Sequence, residues 1–592
     1  MRTYVKKIVA WAIVGAMSVT LAPQMEISNA KADVVETLSY EFKNNTKGIA
    51  TGCIRLKITI IEKGTNESYS IYWVDQEGKK LTKSGIEYTE ITQFTADDKY
   101  STLTSSYDYH IESDYAAIPE NAAGIIAVDE DEDEIAYADI PEEKRPDWGE
   151  STDEFALMSD IHYNRYPEES SALAEDKDLS VISFGKAMQF VDARGIKKVF
   201  VAGDLSNQGE VDSYNKYNKT INKYPEVTVY TCMGNHDVSW TKSADPMVAQ
   251  FKKYVNTKKN SDSNVVQIAP NNLDFVYRSG EDYVIFFSQT RARYSKNSVL
   301  VTDEQLDWLH RTLNSLADKN VYLVFHTYLA DYTGSVETAV GNLVNPAGYS
   351  YNLTYPYGAV DEVRLRSILN KYSNVTMISG HSHWAYDQIK YNDNLVIGNV
   401  NKAKSGATLL HLSSVGAPRT IEADTTKRTE NFGFYNELTG DLEGKLSEGT
   451  IATRYNNKTI YTGADFIKGK YLGYCVYVAA DGAKHAPEAE LKLAKTKITK
   501  VGKVKKVSKK SKKYKVKITY KKVAKRYKYQ IQYSTSSKFK SVKNKYTTKT
   551  SYTITKLKRK TKYYVRVRAY AYQFGARVNA AWSAKKKIKT KK

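Results

Sequence analysis

The sequence predicts a multidomain protein of mixed class: a central α/β layered domain between two all-β modules. Three observations lead there. From Phe155 onward, apolar strand-like runs alternate with amphipathic helical stretches, the pattern of layered α/β folds. On either side, short segments alternate apolar and polar residues with period two, as half-buried strands do. Charge divides along the same lines. Residues 491–592 hold 37 Lys and Arg and no Asp or Glu, so taking those from the formal +20 leaves the remainder acidic by 17 charges. The basic character is therefore a property of the tail and says nothing about the centre. At 592 residues the chain is long enough for several separate cores.

In chain order, residues 1–32 read as a secretory signal peptide. Arg2, Lys6 and Lys7 give a positive start, Ile8 to Leu21 an apolar stretch, and Ala30-Lys31-Ala32 a cleavage site. The apolar stretch is shorter than the roughly 20 residues of a spanning helix. The expected product is secreted, with no transmembrane segment in the mature chain. Cys53, Cys232 and Cys475 are too few and too far apart for a disulfide framework, which suits an exported bacterial protein. Residues 33–148 predict an N-terminal β-sandwich-like domain, with strands such as Ile54–Ile60 and Ser70–Trp73. The acidic run Asp129 to Glu134 lacks the glycine and spacing of a calcium loop and reads as a solvated loop. Pro141 to Trp148 reads as a linker.

Within residues 149–425, strands are expected at Phe155–Met158, Lys198–Ala202, Val227–Cys232, Val284–Phe287, Val321–Phe325 and Val375–Ile378. Helices are expected at Leu179–Ala193, Asp303–Ser315 and Val360–Lys371, with Asp303 as an N-cap. Residues 426–494, rich in Gly, Thr and Tyr, either close the central domain or join it to the tail. Residues 495–592 return to strands, at Tyr514–Tyr520, Tyr527–Tyr533, Ser551–Ile554 and Tyr563–Tyr570. Their apolar and aromatic residues alternate with lysine, which predicts a half-buried sandwich with a basic outer face.

The chemistry lies in five fragments that each follow an expected strand: Asp160-Ile161-His162, Gly203-Asp204, Gly234-Asn235-His236-Asp237, His326, and Gly380-His381-Ser382-His383. In open α/β sheets, sites gather at the carboxyl ends of strands. Singly, each histidine is as well explained as a loop or core residue, and Asn-His-Asp also makes an ordinary turn. Yet five of the nine histidines fall in these fragments. Asp, Asn and His suit hard-to-borderline divalent metals, and nothing sulfur-rich accompanies them. Cys232, in the strand before Gly234, reads as a small core residue. Tyr163, Tyr328, Trp384 and Tyr386 adjoin the fragments and either stack on a substrate or pack the loops.

Taken in order, the fragments resemble the calcineurin-like metallophosphoesterase family over roughly residues 151–425. The resemblance implies a central layered β-sandwich flanked by helices, with a two-metal site on loops at strand ends. It implies that Asp160, His162 and His383 hold one divalent ion, that Asn235, His326 and His381 hold the other, and that Asp204 bridges both. Manganese, iron, zinc and cobalt all tolerate such ligands. His236 would protonate the leaving oxygen or stabilise its charge, and Asp237 would orient the loop. Two ions about 3.5–4 Å apart acidify a bridging water and clamp phosphoryl oxygens for in-line attack. The reaction implied is hydrolysis of a phosphate ester, diester or monoester.

Departures from relatives narrow the class. Purple acid phosphatases carry Tyr at the position of Asn207 and Gly at that of His162, so an iron–tyrosinate centre is not expected. Protein Ser/Thr phosphatases carry Asp-Arg where this chain has Asn207-Gln208, and Gly-Asn-His-Glu where it has Asp237. The family's His–Asp dyad would become His236–Asn207, and an amide stabilises imidazolium less than a carboxylate does. A bacterial-type phosphodiesterase or broad phosphatase fits these residues. In the tail, Leu557 to Val567 resembles a fibronectin type III pattern with Tyr563 at the tyrosine corner, although Arg559-Lys560 replaces the usual Pro-Gly and Tyr520 stands where a core Trp is common.

Two rival readings remain. One is a 5′-nucleotidase-like enzyme, whose large C-terminal substrate domain is not evident here. The other is a non-catalytic cell-surface polyanion-binding protein, against which the complete ligand set counts. The acid-free tail predicts attachment to polyanions, cell-wall teichoic acids or anionic lipids first and extracellular nucleic acid second. The plainer alternative is a soluble spacer.

Overall fold

The computed structural model describes residues 35–43, 53–60, 68–95, 117–164, 179–238, 244–291, 300–328, 363–386, 406–421, 428–430, 432–435, 442–523, 527–574 and 576–590. The expected signal peptide, residues 1–32, lies outside them. Among the described residues, no helix is long and apolar enough to cross a membrane.

Two six-stranded mixed sheets form the centre. The first runs in the order β3 (Thr228–Thr231), β2 (Lys198–Val201), β1 (Asp153–Met158), β10 (Glu448–Arg454), β11 (Lys458–Asp465), β12 (Lys470–Ala480). The second runs β4 (Val265–Ile268), β5 (Phe275–Ser279), β6 (Asp282–Phe286), β7 (Val321–Val324), β8 (Val375–Ser379), β9 (Thr408–His411). Strands β1 to β3 are parallel, as are β6 to β9. Covered on both faces, these strands are nearly continuous apolar runs, as buried parallel strands must be. Phe155, Leu157 and Phe200 of the first sheet meet Phe275, Phe286, Tyr322 and Val324 of the second in one core. Phe155 lies 5.1 Å, centroid to centroid, from both Phe200 and Tyr322.

Helices cover the outer faces. Helix α1 (Leu179–Ala193), α2 (Val211–Ile221) and α3 (Ala244–Tyr254) pack on the first sheet, and α4 (Asp303–Ser315) and α5 (Val363–Leu369) on the second. Asp303 does not cap α4. Thr302 does: its hydroxyl accepts from Gln305 N at 3.2 Å, and Gln305 Oε1 accepts from Thr302 N at 3.0 Å. The glutamine at the third helical position closes a reciprocal capping box one residue earlier than expected, and it leaves Asp303 favourably in the first turn.

Residues 426–494 supply β10 to β12. Strand β10 pairs antiparallel with β1, Ile451 opposite Ala156, and so completes the first sheet. A four-stranded N-terminal sheet, built on Ser68–Val74 and Gly124–Val128, shares the core of α1 and β12. Trp73 Nε1 donates to Gly473 O at 2.7 Å, and the Tyr88 and Tyr471 rings lie 5.3 Å apart. The segment Pro141 to Trp148 is tied down at both ends, by Arg145 Nε donating to Ile140 O at 2.8 Å and by Trp148 edge-on to Tyr455. Asp129 caps its own turn, accepting from Asp131 N and Asp133 N.

The tail has two sheets over one core that includes Val516, Ile518, Ile531, Val565 and Val567. One contains β13 (Ile498–Val501), β14 (Lys505–Lys506), β15 (Tyr514–Tyr520) and β18 (Ser551–Leu557). The other contains β16 (Lys528–Ser534), β17 (Lys543–Thr547), β19 (Lys562–Gln573), β20 (Ala576–Asn579) and β21 (Lys586–Lys589). Lys558 N donates to the Tyr563 hydroxyl at 3.0 Å. The tail also touches the centre: the Phe574 ring lies 5.1 Å from His310 of α4, and Leu491 N donates to Gln573 Oε1 at 2.6 Å.

At the amino ends of the parallel strands β1 and β6, Arg454 at the end of β10 joins the two sheets. Its Nε donates to Asp282 at 2.6 Å, and both Nη atoms reach Asp481 at 2.7 Å. Removing one partner of a buried ion pair leaves uncompensated charge, so Arg454→Ala should cost about 3–5 kcal/mol. Urea unfolding measures that loss. Bound metal per folded molecule should not change, and an unshifted midpoint would refute the closing role of Arg454.

Candidate metal centre

All five motif fragments start where a parallel strand ends. Asp160 and His162 follow β1, Asp204 follows β2, and Asn235 to Asp237 follow β3. His326 follows β7, and His381 and His383 follow β8. The carboxyl ends of both sheets thus open on one edge. Backbone bonds lace the loops across that edge, with Val415 N donating to Ser159 O and Gly416 N to Asp160 O, both at 2.9 Å.

The predicted ligand residues fall into two clusters around a shared carboxylate. In the first, His383 Nε2 and His162 Nε2 stand 3.1 and 3.4 Å from Asp160 Oδ1. In the second, His326 Nε2 lies 3.0 Å from Asp204 Oδ2, 2.9 Å from Asn235 Oδ1 and 3.1 Å from His381 Nδ1. Asp204 Oδ2 is also 3.7 Å from His162 Nε2, between the clusters. Asp160, Asp204 and His326 have no exposed surface. Asp160 Oδ1 and Asp204 Oδ2 are buried without any hydrogen bond, although imidazole nitrogens surround them. Ligand atoms of Asp160, His162 and His383, and of Asp204, His326 and His381, lie close enough together to hold an ion, and oxygen and imidazole nitrogen are the donors divalent cations take.

The rest of each ligand is held from behind. Asp160 Oδ2 accepts from Ser159 Oγ at 2.5 Å and from His381 N at 2.8 Å, and Asp204 Oδ1 accepts from His236 N at 2.8 Å. His326 Nδ1 donates to Ala202 O at 2.7 Å and His383 Nδ1 to Ala417 O at 3.2 Å, which turns each Nε2 toward the site, where His383 Nε2 meets His162 Nε2 at 2.9 Å. Burial opposes charge on Asp160, yet His383 and His326 outweigh it and hold the carboxyl well below its ordinary range. Burial likewise opposes charge on His326, and Asp204 and Asp160 raise it to about 9. The site is electrostatically built for added positive charge.

His236 is both oriented and clustered, with a ring nitrogen within 4.8 Å of ligand atoms of His162 and Asp204. Its Nδ1 lies 2.9 Å from Asn207 O and 3.2 Å from Asn207 Oδ1, while its ring stands edge-on to His162 at 4.6 Å. Asp237 is held by its own loop and by Ser206. Its oxygens accept from Gly234 N, Ser206 N and Ser206 Oγ at 2.8 to 3.1 Å, so it shapes the loop. Cys232 is buried, and burial pushes its thiol far above the reactive range. The stacking role open to the neighbouring aromatics does not hold. Tyr163, Trp384 and Tyr386 are at most 1 % exposed and Tyr328 is 4 % exposed, because the loops fold over them. Tyr163 and Tyr386 hydroxyls bind Thr220 and Thr450.

Sequence reasoning passed over Ser159 and His411. Ser159 immediately precedes a ligand, and a hydroxyl there was a visible signal. His411 Nε2 lies 2.5 Å from Ser382 Oγ, beneath the loop of His381 and His383; no spacing rule links it to that loop. Burial lowers His411 to about 4, so it is neutral.

Residues 154–385, which include every predicted ligand, match the calcineurin-like phosphoesterase family. The chain thus carries a domain of the metallophosphoesterase hydrolase type. No curated protein matches the chain. Three solved structures are similar over parts of it. A myokine shares 15% identity over 17% of this chain and 100% of its own, TM-score 0.14. Purple acid phosphatase PPD1 from yellow lupin (Lupinus luteus) seeds shares 12% identity over 75% of this chain and 73% of its own, TM-score 0.34. A protein of Thermus thermophilus shares 7% identity over 47% of this chain and 97% of its own, TM-score 0.25. Likeness at this level says nothing about substrate.

Gly380 permits the approach of two loops, since a Cβ there would stand 1.8 Å from Ser159 Oγ and 2.4 Å from Asp160 Oδ2. Gly380→Ala should therefore displace Asp160 and lower metal occupancy at least severalfold, with the fold retained. Elemental analysis of the purified variant, beside its circular dichroism spectrum, checks this. Full occupancy with wild-type affinity would overturn it.

Proposed function

We propose that this protein is a secreted phosphoesterase that uses two divalent metal ions to hydrolyse phosphate diesters or monoesters. One observation supports it most. Two buried aspartate oxygens without hydrogen bonds, Asp160 Oδ1 and Asp204 Oδ2, face four imidazoles and an amide oxygen at one sheet edge. In this reading Asp160, His162 and His383 hold one ion, Asn235, His326 and His381 the other, and Asp204 serves both. When bound, the ions would lower the pKa of water and stabilise charge on phosphoryl oxygens.

The chain's own residues supply the rest. Ser159 and the His381 amide fix Asp160, so its free oxygen stays aimed at the site. Asn207 holds the Nδ1 side of His236, leaving the other ring nitrogen to give a proton to the leaving oxygen. Asn207 is neutral, so the charged imidazole gains less help than a carboxylate would give. The basic tail, residues 495–592, would keep the enzyme on an anionic polymer or surface, and its sheets fit a fibronectin type III-like module. The 5′-nucleotidase reading gains no observation of its own.

Hydrolysis assays on phosphodiesters, monoesters, nucleotides and lipid head groups, with added metals, test the proposal. Asp204→Asn should lower metal content and nearly abolish turnover while the protein stays folded. Undiminished hydrolysis in that variant, on a substrate the unaltered protein cleaves, would falsify the two-metal reading. His236→Ala should retain metal yet lose about 10²–10⁴ in kcat on alkyl esters. The loss should be smaller on nitrophenyl esters, whose leaving group needs no proton. Equal losses on both would remove His236 from acid catalysis.

A further inference from the structure

We propose that the outer face of the tail's second sheet docks a linear polyol-phosphate chain, a phosphodiester polymer without bases, through three stacked arginines. This deepens the tethering role given to the tail and stands apart from the hydrolysis itself.

Arginine is placed selectively in the tail. Residues 491–592 hold 32 lysines but only five arginines, and three of those share one sheet face. Arg566 and Arg568 alternate along β19, opposite Gln532 and Gln530 of β16. Arg577 of β20 lies opposite Tyr572. Each guanidinium lies against a ring. Arg566 is 4.1 Å from the Phe539 centroid and 4.4 Å from that of Trp582, and Arg568 is 4.4 Å from Trp582. Arg577 is 3.8 Å from Tyr570 and 5.1 Å from Tyr546.

Amides fix the planes of these groups. Arg566 Nε donates to Gln532 Oε1 and Arg568 Nε to Gln530 Oε1, both at 2.7 Å. Arg577 Nη2 donates to Gln530 Oε1 at 2.8 Å, and both glutamine amides donate onward to Asn544 Oδ1. These partners are neutral, and the tail has no carboxylate to cancel the charge. A guanidinium whose plane is fixed and whose charge is unspent is a preorganised oxyanion fork. Same-face residues on a strand repeat at about 7 Å, so Arg566 and Arg568 offer successive forks to a flexible chain of phosphates.

The same geometry selects among polyanions. Single-strand readers use ring faces as platforms for bases. Tyr546 and Tyr572 stay exposed on this face, but guanidiniums lie over Phe539, Trp582, Tyr570 and one side of Tyr546. Their N–H edges are the recognition element, so the surface reads phosphates rather than bases.

The test uses the full chain in chelator, so that no probe is hydrolysed. Fluorescence anisotropy follows labelled poly(glycerol phosphate) and an oligo-dT of equal phosphate number at low and physiological salt. The poly(glycerol phosphate) should bind more tightly. Arg566→Gln, Arg568→Gln and Arg577→Gln together should weaken binding by about tenfold or more. Removing equal charge from the other sheet, with Lys500→Gln, Lys505→Gln and Lys517→Gln, should cost about two- to threefold. Triple Arg→Lys at 566, 568 and 577 keeps the charge and should still weaken binding severalfold, because lysine lacks the fork. Equal losses from the two Gln triples, unchanged binding in the Arg→Lys variant, or tighter oligo-dT binding would each overturn the proposal. These readouts hold whether or not the protein cleaves any ester.

Discussion

Two buried carboxylates aimed at one small volume are the constraint on which the rest depends. Asp160 and Asp204 have no exposed surface and each leaves one oxygen without a donor. An unpaired buried charge costs several kcal/mol even after relaxation, and like charges side by side cost more. His383 and His326 compensate in part, since against the pull of burial they hold the Asp160 carboxyl well below its ordinary range. Burial opposes charge on His326, but the two aspartates in turn raise it to about 9. A proton on one ring is a poor substitute for doubly charged cations at two centres. The polar arrangement is therefore costly by itself and becomes favourable when positive charge is added, which is the usual logic of a metal site.

The backbone adds a second cost. Asp160, His162, Asp204, His381 and His383 all have positive φ, between 54° and 75°. Each such residue costs roughly 1–2 kcal/mol relative to the right-handed region. That sum is comparable with the stability of a whole domain, so the surroundings must hold these residues firmly. They do so by extending the sheet ladders past the strand ends: Asp160 N donates to Gly203 O, His162 N to Asp204 O and Gly380 N to His326 O, at 3.0 to 3.1 Å. The glycines belong to the same solution. A Cβ on Gly234 would stand 2.1 Å from Asp204 Oδ1.

The sequence exposes the site more fully than the scaffold. Asp160, His162, Asp204, Asn235, His326, His381 and His383 are legible because each sits at the end of a short apolar strand, where a polar cluster is unexpected without a role. Helix α1 is legible over Leu179–Ala193 because its periodicity is local. Strands β10 and β11 are not legible. Nearly all their residues are buried, which erases the period-two signal, and β10 joins a partner almost three hundred residues earlier. The aromatics beside the motifs mislead for a related reason. Sequence shows that Trp384 adjoins His383 but not that Arg419 N closes over it by bonding His383 O at 2.6 Å. Thr302 and Ser159 show the same limit at single-residue scale, where neighbouring polar residues compete for one capping or orienting role.

Centre and tail handle charge in opposite ways. The centre pairs part of its negative charge internally, as Arg454 does between Asp282 and Asp481. The tail leaves its positive groups without any carboxylate partner of its own. The two regions nonetheless meet through one hairpin. At its tip Phe574 packs on His310 of α4, and Gln573 holds the connecting segment by accepting from Leu491 N and donating to Ala489 O. Arg577 lies three residues beyond that tip, and Arg566 and Arg568 lie on the strand that leads into it. A polymer held by these arginines would thus be held by the element that contacts the α4 layer, the layer backing β7 and β8. Those strands lead into His326, His381 and His383, so packed secondary structure runs from the proposed docking face to the candidate metal centre.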